Sequence, residues 1–336
     1  MKKVLALLVA MVVATSMAFA DATLINGAGA TFPYPIYSKW FDEYAKANPG
    51  VLFNYQSIGS GGGIKQISAK TVDFGATDGP MSIDQLTSAP GRIYHIPTVM
   101  GAVVIAYNLE GVTKGLKLSG DVLADIYLGK ITQWNDPRIT EQNAGVTLPN
   151  SPIVVVHRSD GSGTSFIFTD YLSSVSGAWK GKVGKGTSVN WPVGLGGKGN
   201  EGVAGMVKQA SGSIGYVELA YAKQNGLSYA SIKNQSGSYI EPSLASTSKA
   251  ADGAAIPADF RVSLVNSANP EAYPIASFTW LLIYKQIDDH TKGAAIVNFI
   301  KWAITDGQKY AEDLDYAPLP SNVVEMIQKK LDQVKY

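Results

Sequence analysis

Short apolar segments rich in β-branched residues alternate along the chain with segments of helical periodicity. Seven apolar runs predict buried strands, because their apolar positions are continuous and do not alternate with polar ones. These runs are Leu52–Tyr55, Val72–Ala76, Ile93–Ile96, Gly101–Tyr107, Ile153–Val156, Ile214–Val217 and Phe278–Ile283. Helical spacing of apolar residues predicts helices over Tyr34–Ala47, Ile64–Ala69, Ser165–Val175, Asn200–Gln209, Gly293–Thr305 and Val323–Val334. This alternation favours an α/β fold with mixed, largely parallel sheets flanked by helices.

One segment interrupts this pattern, and the end of the chain continues it. Ser236–Pro257 is rich in Ser, Ala, Gly and Pro, which predicts a surface excursion and not a linker between independent domains. The α/β pattern resumes at Tyr273, so the last part of the chain is expected to complete a body that begins earlier. The apolar stripe of Val323–Val334 predicts a helix that docks on that body.

The first twenty residues have the three parts of a cleaved secretory signal. A short basic start precedes the apolar run Val4–Val13, and Ala18-Phe19-Ala20 has the small-x-small pattern at which signal peptidase cuts. A membrane anchor is the alternative, but the apolar run is shorter than the roughly 20 residues that span a bilayer. Cleavage after Ala20 is therefore expected, with export of residues 21–336.

The charge balance and the cysteine count narrow the classes of partner and of location. The full chain has 28 Lys and Arg against 27 Asp and Glu, and loss of Lys2 and Lys3 with the signal would leave a net charge of −1. A near-neutral chain has no general attraction to nucleic acid or to membrane surfaces, so affinity for an anion must come from a local site. The absence of Cys excludes disulfides, thiolate metal ligands and a lipidated N-terminal Cys. These features predict a soluble, non-lipidated periplasmic protein of one large domain or two ordinary ones.

Three loops combine hydroxyl side chains with glycine, and each opens a predicted helix. They are Gly27–Pro33, Gly59–Gly63 and Asp160–Ser165. The first turn of a helix leaves backbone N–H groups without intrahelical acceptors and carries partial positive charge. Glycine lets the backbone approach an anion closely, and Ser or Thr adds a donor. Three such loops could therefore surround a tetrahedral anion.

Each loop taken singly has a plainer interpretation. Ser or Thr at a helix start is a common N-cap worth roughly 1 kcal/mol. None of the loops has the G-x-x-x-x-G-K-[ST] pattern of a nucleotide P-loop. Gly194–Gly199 lacks the spacing of a dinucleotide-binding loop, and a structural turn is expected there. The occurrence of three loops together is what favours an anion site.

Two charged side chains refine this hypothesis. Arg158 precedes the third loop, where a planar guanidinium could grip two oxygens of an oxyanion, with Asp160 holding it in orientation. Asp78 follows a predicted strand, at the end where ligand sites of α/β folds lie. An ionised carboxylate only accepts hydrogen bonds, so it would suit an anion that carries a proton, as phosphate does near neutral pH and sulfate does not. A turn or a helix cap before Pro80 is an equally good interpretation of Asp78.

At these residues the chain resembles the periplasmic phosphate-binding proteins of bacterial high-affinity phosphate ABC transporters. The matching stretches, in family order, are GAGATFPYPIYSKW, YQSIGSGGGIKQI, TVDFGATDGP, DIYLGKITQWNDP, HRSDGSGTSFIF, WPVGLGGKGNEGV, GSIGYVELAYAKQN and DLDYAPLP. The resemblance implies a two-lobed Venus-flytrap fold that closes on its ligand about a hinge. It implies chain crossings near Pro97–Gly101 and Tyr273–Ile275, so that residues 21–98 with 275–336 form lobe I and residues 99–274 form lobe II.

The resemblance also implies the ligand contacts. The first loop would donate from the Thr31 hydroxyl and from two backbone N–H groups, Asp78 would accept the phosphate proton, and Asp160 would pair with Arg158. The full set of implied phosphate-binding residues is Thr31, Phe32, Ser60, Asp78, Arg158, Ser162, Gly163 and Thr164. Relatives have a second serine in the second loop where this chain has Gly61, a difference of little consequence because the implied contact falls on Ser60.

The implied function is that of a non-enzymatic receptor that delivers inorganic phosphate to an inner-membrane ABC permease. No cofactor and no metal are expected, and a monomer is expected. A phosphomonoesterase with Ser60 or Ser162 as nucleophile and Asp78 as base is the alternative from another class. It is disfavoured because His95, His157 and His290 have no metal-ligand spacing and are more simply packed or surface histidines. A receptor for sulfate or molybdate is a third possibility, against which Asp78 and Arg158 argue.

Overall fold

The computed structural model describes residues 22–336, and the predicted signal peptide lies outside the described residues. The strands of this part of the chain are β1 (Thr23–Gly29), β2 (Val51–Ser57), β3 (Phe74–Thr77), β4 (Ile93–Asn108), β5 (Lys117–Leu118), β6 (Val154–Arg158), β7 (Leu195–Gly197), β8 (Ser213–Glu218), β9 (Ser228–Tyr229), β10 (Ser231–Lys233), β11 (Tyr239–Ile240) and β12 (Ala276–Tyr284). The α-helices are α1 (Tyr34–Ala47), α2 (Ser60–Ser68), α3 (Ile83–Ser88), α4 (Gly120–Tyr127), α5 (Pro137–Thr140), α6 (Gly163–Val175), α7 (Gly177–Lys182), α8 (Gly199–Gln209), α9 (Leu219–Gln224), α10 (Leu244–Ser248), α11 (His290–Ala303) and α12 (Ser321–Leu331). Short 3-10 segments lie at Lys249–Ala251, Asp306–Tyr310 and Glu312–Leu314.

The main sheet has nine strands, eight of which follow the order β2-β1-β3-β12-β4-β8-β6-β7, while β9 pairs with β4. The strands at the two ends are parallel to their neighbours, whereas β12 and β4 run antiparallel to theirs. A second, three-stranded sheet has the order β11-β10-β5. The prediction of an α/β fold with mixed sheets flanked by helices is confirmed, and every antiparallel pair of the main sheet involves β12 or β4.

The central strand β4 joins the two halves of the main sheet. Its first part pairs with β12 as far as Ala102, and its second part pairs with β8 from Val103 onward. The sequence predicted two separate strands here, because Pro97 interrupts the apolar run. Pro97 lies opposite Trp280, next to a shift in the pairing register between Thr279 and Trp280. Because the hydrogen-bond ladder is already irregular there, a residue without an N–H donor is tolerated. A single 16-residue strand results.

Aromatic packing fixes the first helix, and the last helix docks as predicted. Helix α1 has the predicted bounds and buries the apolar positions that its periodicity marked. The Phe41 and Phe53 rings stack at 4.8 Å between centroids, and Phe53 lies 4.5 Å from Phe299 of α11. Helix α12 buries Val323, Ile327 and Leu331. The predicted surface excursion, residues 236–257, contains β11, α10 and a 3-10 segment.

The parallel strands place the loops of interest together. Strands β1, β2 and β3 run parallel, so the loops after Gly29, Ser57 and Thr77 leave the same edge of the sheet. Strands β6 and β7 are also parallel, and they end at Arg158 and Gly197. Three antiparallel pairings separate β3 from β8 and β6, so the two groups of strands run in opposite directions and their carboxyl ends face each other, where a Gly61 to Gly161 hydrogen bond joins their loops.

Candidate functional site

The first loop joins β1 to α1 and is held by hydrogen bonds to its carbonyl groups. The Tyr221 hydroxyl donates to the Thr31 carbonyl oxygen at 2.6 Å, and the Tyr316 hydroxyl donates to the Phe32 carbonyl oxygen at 2.6 Å. Thr31 and Phe32 are both buried. Within residues 22–336 their backbone N–H groups have no acceptor. Two buried donors are therefore fixed in place without a partner in the protein, which is unusual in a native interior.

The second loop brings Ser60 against Asp78. Ser60 begins α2, and its Oγ accepts the backbone N–H of Asp78 at 3.1 Å and lies 3.4 Å from Asp78 Oδ2. Thr279 of β12 donates to Asp78 Oδ1 at 2.8 Å. Helix α3 is capped by the Ser82 side chain, so Asp78 is not a helix cap. The carboxylate, only 1% exposed, is instead a buried acceptor at the end of β3.

Burial sets the ionisation of Asp78. Loss of water raises the pKa of this carboxyl from an ordinary value near 3.8 to about 7, against the opposing effects of the Thr279 hydrogen bond, the Arg158 charge and the Ser60 hydroxyl. Above about pH 7 the group is an ionised acceptor. Below that pH it carries a proton and can donate one.

This pKa predicts how the stability of the unliganded protein depends on pH. Because the folded pKa lies above the unfolded one, ionisation of Asp78 disfavours folding, and the penalty grows as pH rises from about 4 to about 7. Asp78→Asn removes that penalty. We expect its advantage in unfolding free energy over the wild type, measured by urea denaturation, to grow by up to about 2 to 3 kcal/mol between pH 5 and pH 8, the full amount applying when the unliganded lobes are closed as here.

The control for this pH dependence is Asp288→Asn, at a side chain that is 83% exposed. Its difference from the wild type should stay constant over the same range. A constant difference for Asp78→Asn as well would mean that burial does not hold a proton on Asp78.

The third loop carries a buried ion pair. Arg158 ends β6, and its Nε and Nη2 donate to the two oxygens of Asp160 at 2.8 and 2.6 Å, while Nη1 donates to Thr164 Oγ1 at 3.2 Å. Burial opposes ionisation of Asp160, but the hydrogen bonds and the charge of Arg158 outweigh it and lower the pKa of that carboxyl. Three of the five guanidinium N–H groups are thus used, and the remaining two are on the terminal nitrogens.

The start of α6 supplies further donors. Ser162 is its N-cap, because the Ser162 Oγ accepts the Ser165 N–H at 3.0 Å. The plainer interpretation of this serine as a helix cap is therefore correct for its oxygen, while its hydroxyl hydrogen has no acceptor among the described residues. The N–H groups of Gly163 and Thr164, which precede the capped position, find no acceptor in the described part of the chain. The backbone N–H of Ser60, at the start of α2, likewise has no acceptor among the described residues. These helix starts therefore present buried amides in the way that anion sites do.

Close approach of the second and third loops depends on glycine. The Gly61 N–H donates to the Gly161 carbonyl oxygen at 2.9 Å. A Cβ at position 163 would overlap Ser60 Oγ and lie 2.5 Å from Asp78 Oδ2. A Cβ at position 61 would lie 3.0 Å from the Gly161 Cα, so a glycine at this position suits the tight contact between the loops.

Asn200 is a central residue of the site that the sequence did not single out. It is fully buried, and its Nδ2 donates to Thr31 Oγ1 at 2.8 Å and to Thr164 Oγ1 at 3.2 Å, while its Oδ1 accepts the Glu218 N–H. It thereby joins the first loop to the third. The segment just before it, Gly194–Gly199, is more than the expected structural turn, since it forms β7 and the start of α8.

These contacts orient the hydroxyl groups. Thr31 Oγ1 accepts from both the backbone N–H and the side chain of Asn200, and Thr164 Oγ1 accepts from Arg158 and Asn200. A hydroxyl whose oxygen already accepts two hydrogen bonds has its own hydrogen free to donate. The predicted site residues are thus together, and most of their uncommitted polar groups are donors, with the Asp78 carboxylate beside them.

The three histidines lie outside this arrangement. His157 stacks on Trp191 at 4.9 Å between centroids, with Nδ1 3.0 Å from its neighbour's carbonyl oxygen. His290 packs on Tyr336 at 5.4 Å, and His95 Nε2 accepts the Met81 N–H. Among the described residues no group of three or more His, Cys, Asp or Glu side chains is placed to hold a metal ion. Within residues 22–336 no helix has the length and apolarity needed to cross a bilayer.

Solved structures of phosphate-binding proteins share this fold. One is a high affinity periplasmic phosphate-binding protein (PfluDING) bound with phosphate, which is 22% identical with a TM-score of 0.75, the match covering 91% of this chain and 93% of that chain. Another is the phosphate binding protein from Stenotrophomonas maltophilia, also 22% identical with a TM-score of 0.71, covering 92% of this chain and 94% of that chain. A family model described as a PBP superfamily domain matches residues 16–307, which defines the class of protein.

Closer relatives narrow the class. Phosphate-binding protein PstS of Xylella fastidiosa is 49% identical over 307 residues, 90% of this chain and 84% of that protein. Phosphate-binding protein PstS of Pasteurella multocida is 48% identical over 326 residues, 96% of this chain and 94% of that protein. The chain belongs to the PstS family of phosphate-binding proteins. The family that the sequence motifs indicated is thereby confirmed.

Proposed function

We propose that this protein is a receptor that binds inorganic phosphate at the site formed by the three loops. The proposed ligand residues are Thr31, Phe32, Ser60, Asp78, Arg158, Ser162, Gly163 and Thr164, with Asp160 as the ion-pair partner of Arg158. The observation that carries the proposal is the group of buried, unpartnered amide donors beside a buried guanidinium and a buried carboxylate. Such donors need an anion to accept their hydrogen bonds.

The arrangement suits phosphate among the tetrahedral oxyanions. The hydroxyls of Thr31 and Thr164, the helix-start amides and two N–H groups of Arg158 all donate, and they match the unprotonated oxygens of the anion. The ionised Asp78 accepts, and it matches the oxygen that bears the proton. Sulfate has no proton near neutral pH, so one of its oxygens would face the carboxylate and be repelled.

We further propose that the site lies between two lobes, residues 21–98 with 275–336 and residues 99–274, which close on the ligand. In support, β4 changes partner from β12 to β8 directly after Ala102, close to one of the proposed crossings. Several contacts between the proposed lobes are single hydrogen bonds, as with the Gly61 to Gly161 bond and the Asn200 side chain on Thr31. Such contacts can break and reform as a hinge moves.

The receptor acts without catalysis under this proposal, in the periplasm and as a monomer, and it delivers phosphate to an inner-membrane ABC permease. The side chains that an esterase would use are otherwise engaged. Ser60 Oγ accepts an amide N–H and lies a long 3.4 Å from the Asp78 carboxylate, and Ser162 Oγ caps α6. His157 is stacked on Trp191, where it contacts neither serine.

Two assays on the exported protein test this function. Equilibrium dialysis with labelled phosphate should give one bound phosphate per chain, and phosphomonoester hydrolysis with added divalent metals should stay at the background rate. Turnover that Ser60→Ala abolishes would overturn the receptor assignment in favour of a hydrolase. Failure to retain phosphate in dialysis would reject phosphate as the ligand.

Arg158→Gln is expected to weaken phosphate binding by about 100-fold or more, because the dianion loses a buried, charge-assisted donor and Asp160 loses its partner. Arg138→Gln is a matched control, since Arg138 also pairs with an aspartate two residues away, Asp136, but is 45% exposed and remote from the three loops. The control should bind phosphate like the wild type. Equal affinity of the Arg158 variant and the wild type would remove Arg158 from the site.

A further inference from the structure

A second group of cationic side chains lines a cavity away from the three loops. The cavity has a volume of about 230 Å³ and is lined by Arg92, Tyr94, His95, Asp259, Arg261 and Lys330, with Leu86 and Ile93. Three of these side chains are cationic and one is anionic, so the lining carries an excess of two positive charges. None of them belongs to the proposed phosphate site.

The positive charge of this cavity is only partly neutralised. Arg261 pairs with Asp259 and also donates to the Met81 carbonyl oxygen at 3.1 Å. Arg92 and Lys330, by contrast, form no ion pair and no side-chain hydrogen bond with any described residue. Both lie against the buried Tyr94 ring, at 5.6 and 4.9 Å from its centroid.

The two cations also act on each other. Burial, followed by the charge of Arg92, lowers the pKa of Lys330. Burial is the larger cause of the lowered lysine pKa, and the Arg92 charge adds to it against the opposing charge of Asp259. The one carboxylate of the cavity, Asp259, is paired with Arg261, so the charges of Arg92 and Lys330 are stabilised when an anion binds in the same cavity.

A buried histidine adds a neutral donor to the same cavity. His95 is 3% exposed, and its Nε2 accepts the Met81 N–H at 3.0 Å. Burial, followed by the charge of Arg261, lowers the pKa of His95 to about 3, so the ring is neutral at physiological pH. A neutral imidazole that accepts at Nε2 carries its proton on Nδ1.

That Nδ1 proton has no acceptor in residues 22–336. The Nδ1 atom is not fully enclosed by protein, and His95 lines the cavity. His95 thus adds an unpartnered N–H donor to a cavity whose lining also carries two unpaired cations. An oxyanion supplies the acceptor that all three groups lack.

We propose that this cavity is a second anion site, which binds a small oxyanion of at least two negative charges through Arg92, Lys330 and the His95 Nδ1–H. The excess of two positive charges favours a multivalent anion over a monovalent one. The recessed volume and the depth of His95 favour a free small molecule over an acidic segment of a partner protein. The site is independent of the proposed phosphate site, because it shares none of its residues.

The test uses the full exported chain saturated with phosphate, so that the first site is already occupied. Calorimetric titration with pyrophosphate, and separately with citrate, should show one further binding event for at least one of the two. Arg92→Gln and Lys330→Gln should each weaken that event about tenfold or more, since each removes a charged donor. Phosphate affinity should not change in either variant, which also shows that the variant is folded.

Three measurements complete the test. Lys301→Gln, at a lysine that pairs with Asp332 on the surface, is the control and should bind like the wild type. The ¹⁵N signal of His95 Nδ1 should move when the anion is added. An acidic peptide such as hexaglutamate should bind more weakly than the small anions.

Several outcomes would overturn the proposal. No saturable binding of either anion at 10 mM would do so, as would equal weakening by Lys301→Gln, which would indicate general charge attraction. An unmoved Nδ1 signal at saturation would remove His95 from the site. Tighter binding of hexaglutamate than of both small anions would assign the cavity to a protein partner instead.

Discussion

Asp78→Asn is expected to collapse the selectivity for phosphate over sulfate, from about ten-thousand-fold in the wild type to less than about 100-fold. The carboxylate is held by Thr279 and Ser60 so that it can only accept at pH values above its pKa of about 7. An asparagine amide of the same shape can turn its NH₂ toward the ligand and donate to an unprotonated oxygen. Sulfate then gains a donor in place of a repelling charge.

Competition calorimetry at pH 8 measures this ratio, with Asp170→Asn as the control. Asp170 is also buried, but its carboxylate is used by Lys185 and Ser263 at a distance from the three loops. The control variant should keep the wild-type ratio. Retention of the full ratio in Asp78→Asn would show that selectivity does not come from a proton accepted at residue 78.

Gly163→Ala is expected to reduce phosphate affinity by at least about 100-fold. The added methyl group would overlap Ser60 Oγ and lie 2.5 Å from Asp78 Oδ2, so the second and third loops could not approach as they do here. The clash is between the two proposed lobes, and it exists only when they are closed. The stability of the unliganded protein should therefore be unchanged or slightly higher, because Ala favours a helix more than Gly does.

Gly177→Ala is the matched control for this variant. Gly177 is also the first residue of a helix, α7, but a Cβ there would meet no atom within 4 Å. Small-angle scattering with phosphate should show compaction of the wild type and of Gly177→Ala, and little compaction of Gly163→Ala. Wild-type affinity in Gly163→Ala would mean that the loops do not need this close contact.

The local pattern of the chain predicted much of the fold. Helix α1 has the predicted bounds because a full stripe of aromatic residues marks its buried face. Strand β1, beginning at Thr23, was not predicted, since glycine and a polar residue interrupt its apolar run. The continuity of β4 through Pro97 was also missed, because it depends on an irregular position in its partner strand β12.

The site divides in a similar way. Hydroxyl-glycine loops at helix starts are local features, so the sequence could mark Thr31, Ser60 and Ser162. Thr279 donates to the Asp78 carboxylate, which is 201 positions away in the sequence. The two side chains meet only because β12 pairs with β3. Asn200 joins Thr31 to the third loop by a contact across 169 positions. No local pattern carries such pairings, since they are set by strand order and by the packing of the two halves of the sheet.

The most direct test of the account is a pair of calorimetric titrations of the wild-type protein at pH 8, one with phosphate and one with sulfate. We predict a saturable one-to-one isotherm with phosphate and no measurable binding of sulfate at concentrations about 1,000 times higher. This result follows if Asp78 is an ionised acceptor among buried donors. Binding of the two anions with similar affinity would contradict it, because the site would then recognise charge and shape without recognising the proton.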